Sequence, residues 1–134
     1  ALQRANRPPD VVILGIGGND ILSGATVGAT TVTIATIIDQ IQGANAEVTI
    51  FLEQISGARS DAPDADRLNA LIPAFSREIV AMAASQTTTT SAVIPVDMAS
   101  DIPDAYFIDD VHFNETGAKA IADRYFQAIE AVFP

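Results

Sequence analysis

The run Val11-Val12-Ile13-Leu14 constrains this chain more than any other feature. It follows Pro8-Pro9-Asp10 and stops at Gly15, Gly17 and Gly18. A continuous β-branched and leucine run, without the in-and-out alternation of a half-exposed strand, reads as a strand buried on both faces, and such strands belong to parallel sheets covered by helices.

The rest of the chain has the matching parts. From about Val27 to Ala44, Ile34, Ile37, Ile38 and Ile41 recur at helical spacing, with threonines that soften the N-terminal boundary. A second apolar strand spans Val48 to Ile55, and a polar loop from Ser56 to Ala65 leads to a helix with Leu68, Ile72, Phe75, Ile79 and Met82 on one stripe. Asp64 or Asp66 is its natural N-cap, and Pro73 predicts either a kink or a start later than Leu68. A third strand covers Ala92 to Val96, an Asp- and Pro-rich loop reaches His112, and Asn114 caps a last helix with Ile121, Tyr125, Ile129 and Val132 on its apolar stripe. Strand and helix alternate three times, which specifies a parallel α/β sheet covered by helices. No repeat, coiled coil or linker divides residues 1–134, so they read as a single, partial domain. Three strands are few for this architecture, and the first has no obvious second neighbour. In open sheets of this kind ligands bind at the carboxyl ends of the strands, here the loops beginning at Gly17, Ser56 and Asp97.

Composition narrows the functional classes. Seven Lys+Arg against 17 Asp+Glu give a net charge of -10, which repels nucleic acid and anionic membrane surfaces. No apolar run approaches the roughly 20 residues a membrane span needs. Zero cysteines exclude disulfides, thiolate metal sites and a cysteine nucleophile. Lys119 is the only lysine, which disfavours Schiff-base chemistry. The chain starts at Ala1 with nothing like a signal peptide before Val11, so its beginning is expected to be processed, engineered or missing.

Two short motifs carry chemistry. Gly15-Ile16-Gly17-Gly18-Asn19-Asp20 leaves the first strand but fails as a dinucleotide fingerprint, because Asp20 stands at the third glycine position. Gly17 and Gly18 let backbone approach a substrate closely, and the Asn19 amide can donate to an oxyanion. A plain turn capped by Asn19 and Asp20 is the other reading. In Asp109-Asp110-Val111-His112, the aspartate three residues before the only histidine can reach Nδ1–H, leaving Nε2 free to take a proton from a hydroxyl. A surface histidine after a capping aspartate is the competing reading. Asp61, Asp64 and Asp66 form an acidic loop that suits either a hard cation such as calcium or the N-terminal charge of the following helix.

In this order, Gly-x-Asn-Asp at 17–20 and Asp-x-x-His at 109–112 resemble two of the four blocks of the GDSL or SGNH hydrolases. Asp10-Val11-Val12-Ile13-Leu14, Arg67-Leu68-Asn69-Ala70-Leu71-Ile72 and Asp110 to Ala118 extend the resemblance over the whole chain, toward carbohydrate esterases similar to acetylxylan esterases. The resemblance implies a three-layer, flavodoxin-like fold whose N-terminal strands are missing here. It implies hydrolysis of an acylated carbohydrate or small ester without metal or organic cofactor, in an extracellular or periplasmic setting. Asn19 becomes the oxyanion-hole side chain, His112 the general base and then acid, Asp109 its orienting partner and Asp20 a structural residue. The family's Gly-Asp-Ser block lies before the region matched here. No serine of this chain has that context, and Ser56 is the one considered as a substitute. The nucleophile is therefore expected from an N-terminal fragment or second chain, which should also cover apolar surface left on Val11 to Leu14. The alternative is a non-catalytic remnant of the fold that binds carbohydrate or serves assembly. A phosphate- or flavin-binding flavodoxin-like protein is disfavoured by the acidic loops and Asp20.

Overall fold

Apolar side chains on both faces of one small sheet organise the molecule. The computed structural model describes residues 7–134, so the start at Ala1 lies outside the described residues. In chain order the elements are β1 (Val11–Leu14), α1 (Gly18–Leu22), α2 (Val27–Ala44), β2 (Thr49–Gln54), α3 (Ala65–Gln86), β3 (Val93–Asp97) and α4 (Glu115–Val132), with a 3-10 turn at Asp104–Tyr106. The sheet has the order β1-β2-β3, and both strand pairs are parallel.

Alternation along β2 sorts the layers. Ile50 and Leu52 pack with Ile34, Ile38, Phe75 and Ile79 of α2 and α3, whereas Phe51 packs with Val96, Met98 and the Ile121, Tyr125 and Ile129 side of α4. Helices on both faces of a parallel sheet make the expected three-layer α/β architecture. Among the described residues no helix is long and apolar enough to cross a membrane.

The first strand departs from its reading. Val12 and Leu14 are half-buried against the α2–α3 layer, but Val11 and Ile13 are 40% and 52% exposed. They share the Phe51 face by register, Ile13 pairing with Phe51. The α4 layer packs on Phe51, Val96 and Met98 and on no residue of β1, so among the described residues this strand is covered on one face and not on both. The apolar surface expected on Val11 to Leu14 is thus present on one side of it.

The helices show how the sequence tolerates its weak formers. In α2, Thr26 Oγ1 accepts from the Ala29 N–H, and the hydroxyls of Thr30, Thr31, Thr33 and Thr36 donate to carbonyls three or four residues back. Local bonding of this kind keeps threonine polar groups satisfied within a helix. α3 begins at Ala65 and continues through Pro73, which excludes a start later than Leu68. Asp64 holds the cap position without a side-chain cap bond; its carboxylate pairs with Arg67 at 3.2 Å instead.

Candidate active site

His112 sits in the turn between the 3-10 segment and α4. Asp109 Oδ1 accepts from the backbone N–H groups of Val111 and His112 at 3.0 and 2.8 Å, which folds the four residues back on themselves. Asp109 Oδ2 then meets His112 Nδ1 at 2.8 Å. The carboxyl is held down to about 2, first by those two backbone donors and then by the imidazole. Among the described residues Nε2 has no hydrogen-bond partner, and the His112 side chain is 75% exposed. Asn114 anchors the far end: its Oδ1 accepts from the Gly117 N–H at 3.0 Å and its amide donates to the Ala105 carbonyl at 2.7 Å.

Asn19 stands in the first turn of α1, where the sequence reading had only a glycine-rich turn. Gly17 makes the bend with φ of 101°, a left-handed conformation that glycine adopts without steric cost. Gly17 is buried, and a Cβ there would meet Phe75, Thr30 and Ile34 at 3.0 to 3.2 Å. It therefore lies beneath the site rather than on its wall, while Gly18 and Asn19 line the wall. Among the described residues the Asn19 side chain makes no hydrogen bond, so its amide is open to a ligand. Five residues do not hold a helix alone. Arg67 of α3 supports this one from its end, donating to the carbonyls of Ile21 and Leu22 at 3.3 and 3.4 Å.

Asn19 and His112 line one cavity of about 200 Å³ at the carboxyl ends of the strands, together with Gly18, Glu53, Ser56 and Gly57. Ser56 shares this wall but has no hydrogen bond to His112 among the described residues. The β2–α3 loop is pinned by Asn69, whose side chain accepts from the Ala58 N–H at 2.8 Å and donates to the Ala58 carbonyl at 3.1 Å. Arg59 ties the same loop to the histidine turn: its backbone N–H donates to the Asp110 carbonyl at 2.8 Å and its guanidinium to the Asp109 carbonyl at 3.3 Å. Arg59 and Glu53 were not singled out from sequence, and Arg67 and Asn69 entered there only as part of the family resemblance of the middle helix.

Asp61 pairs with Arg59 and Asp64 with Arg67, and among the described residues no group of three potential ligands is arranged to hold a metal ion. What the cavity offers is a histidine oriented through Nδ1 and a free amide donor facing the same space. A hydroxyl nucleophile and an acyl carbonyl placed between them would meet a base and an oxyanion donor.

Residues 1–120 match the model of the GDSL-like lipase/acylhydrolase family. No protein of curated function matches the sequence. Among solved structures, a carbohydrate esterase family 3 protein from Talaromyces cellulolyticus is 22% identical with a TM-score of 0.80, the match covering 92% of this chain and 58% of that one. A serine-to-alanine mutant of an acetyl esterase, with acetate ion, is 23% identical, TM-score 0.75, over 92% and 60% of the two chains. The SGNH-hydrolase family esterase AlinE4 is 18% identical, TM-score 0.53, over 99% and 66%. The chain thus spans 58% and 60% of the length of the first two relatives.

Proposed function

Because this chain belongs to the GDSL-like lipase/acylhydrolase family, we propose that it is the oxyanion-binding and acid–base portion of a serine esterase that removes acyl groups, acetyl in particular, from carbohydrates. The observation that carries this reading is a histidine bonded through Nδ1 to Asp109 at 2.8 Å and sharing one cavity with the free amide of Asn19. The nucleophilic serine comes from outside the matched elements, on an N-terminal segment or separate chain that adds strands beside β1. An exported setting, extracellular or periplasmic, goes with this reading.

His112 Nε2 takes the proton as the serine oxygen attacks the ester carbonyl. Asn19, with backbone amides, holds the tetrahedral oxyanion, and collapse expels the alcohol, which receives the proton from His112. Water then attacks the acyl-serine, again giving a proton to His112, and the acid leaves as the serine is regenerated. Asp109 keeps the imidazole in the tautomer that presents a bare Nε2 and stabilises the imidazolium.

The test joins the chain to a Gly-Asp-Ser-bearing segment and follows 4-nitrophenyl acetate hydrolysis together with labelling by a serine-directed phosphonate. The expected outcome is labelled, active protein that His112→Ala silences and Asn19→Ala slows by about 100- to 1,000-fold. An unlabelled, inactive assembly would overturn the reading and leave a non-catalytic fold remnant.

A further inference from the structure

Glu53 is a half-buried acid that the reaction above leaves without a task. It lies near the carboxyl end of β2, on the Phe51 face of the sheet. Its Oε2 accepts from the Tyr125 hydroxyl of α4 at 2.6 Å, and among the described residues the carboxylate takes no other hydrogen bond. Gly15 makes room for it, since a Cβ there would stand 2.5 Å from Oε2. Burial pushes the carboxyl up, the Tyr125 hydrogen bond opposing it. Tyr125 is pushed up in turn, by burial and then by its bond to Glu53.

Among the described residues Ser76 Oγ is the buried side-chain polar atom left without a partner, so the second Glu53 oxygen is open to solvent, and a ligand that covers it must supply a donor or leave it unmet at a cost. Glu53 is one of the residues lining the cavity that holds Asn19 and His112. Ile21, Leu22, Ile55, Leu68 and Ile72 supply much of the remaining wall, so Glu53 is the acidic member of an otherwise mostly apolar lining. An apolar ester would leave its free oxygen dry and unpaired, whereas a hydroxyl-bearing one would satisfy it.

We propose that Glu53 is a specificity-determining residue whose free carboxylate oxygen accepts a hydrogen bond from an unesterified hydroxyl of the substrate, selecting partly acylated sugars over esters with no donor. The inference rests on the esterase reading and adds the feature of the substrate that is recognised. A site with a buried polar group rejects an analogue lacking its partner more strongly than an apolar pocket rejects a change of size.

The experiment measures kcat/KM, in the protein assembled with its serine-bearing segment, for a methyl 2-O-acetyl xylopyranoside with free hydroxyls and for its O-methylated counterpart without them. Wild type is expected to prefer the hydroxyl-bearing ester by about tenfold or more, the size of one hydrogen bond to a charged acceptor. Glu53→Leu should collapse that preference toward unity, chiefly through KM. Glu53→Gln, which keeps an acceptor for Tyr125 and therefore the fold, should reduce it at least about threefold. Equal losses on both esters, or a wild type without preference, would overturn the inference alone. Hydrolysis of neither ester by wild type would overturn the esterase reading and the inference together.

Discussion

Both carboxylate oxygens of Asp109 meet His112 Nδ1, Oδ2 at 2.8 Å and Oδ1 at 3.1 Å, and Oδ1 also gathers the backbone N–H groups of Val111 and His112. Because these bonds favour the ionised form, the folded value, about 2, lies below the unfolded 3.8. The stability they contribute is therefore fully present above about pH 4 and is lost as the pH falls through about 2. Urea denaturation of wild type and Asp109→Asn at a series of pH values should give curves that are apart at pH 6 and merge by about pH 2. A gap that persists at the acid end would mean that geometry, not charge, holds the turn. This contact was legible in the sequence because Asp-x-x-His closes over three residues, within reach of a single turn. Glu53 was not: its partner Tyr125 is 72 residues away, and no local pattern announces such a pair.

Gly117 shows, within one helix, how packing can reverse a local preference. Alanine exceeds glycine in helix propensity by about 1 kcal/mol, so propensity alone makes Gly117→Ala stabilising. In α4, however, a Cβ at Gly117 would stand 2.3 Å from the Tyr106 carbonyl oxygen and 2.9 Å from the Phe113 ring. The expected result is a loss of about 1–3 kcal/mol in thermal unfolding, with Gly43→Ala in α2, whose Cβ meets nothing within 4 Å, gaining up to about 1 kcal/mol. Equal stabilisation by both changes would contradict the close approach of the 3-10 turn to α4. The stripes of α2, α3 and α4 were readable from spacing, even across Pro73, because a helix buries one side over several turns. α1 was not, since its five residues rely on Arg67 from another element.

For the whole molecule the decisive feature is the edge strand. Among the described residues β1 presents an unpaired backbone edge together with the exposed side chains of Val11 and Ile13, a combination that invites a further strand. Ile13→Glu is expected to leave the circular dichroism of the chain unchanged, because Ile13 is already 52% exposed, and to weaken assembly with the serine-bearing segment by about tenfold or more in titration calorimetry. Undiminished assembly would move the docking surface elsewhere on the molecule.

Periodicity and turn chemistry were enough to specify parallel strands, covering helices, the Asn114 cap and the Asp109–His112 contact. Each depends on groups within a few residues of one another, or on a repeat that any buried face must obey. Whether Val11 to Leu14 is covered on one face or two, whether Gly17 lines the cavity or lies under it, and which side chains join Asn19 and His112 depended on elements far apart in the chain. Those outcomes follow from the register of β1 on β2 and from the reach of α4 over the sheet. A four-residue apolar run carries no mark of how many neighbours it will have. Tertiary packing supplies that number, and with it the environment of Glu53.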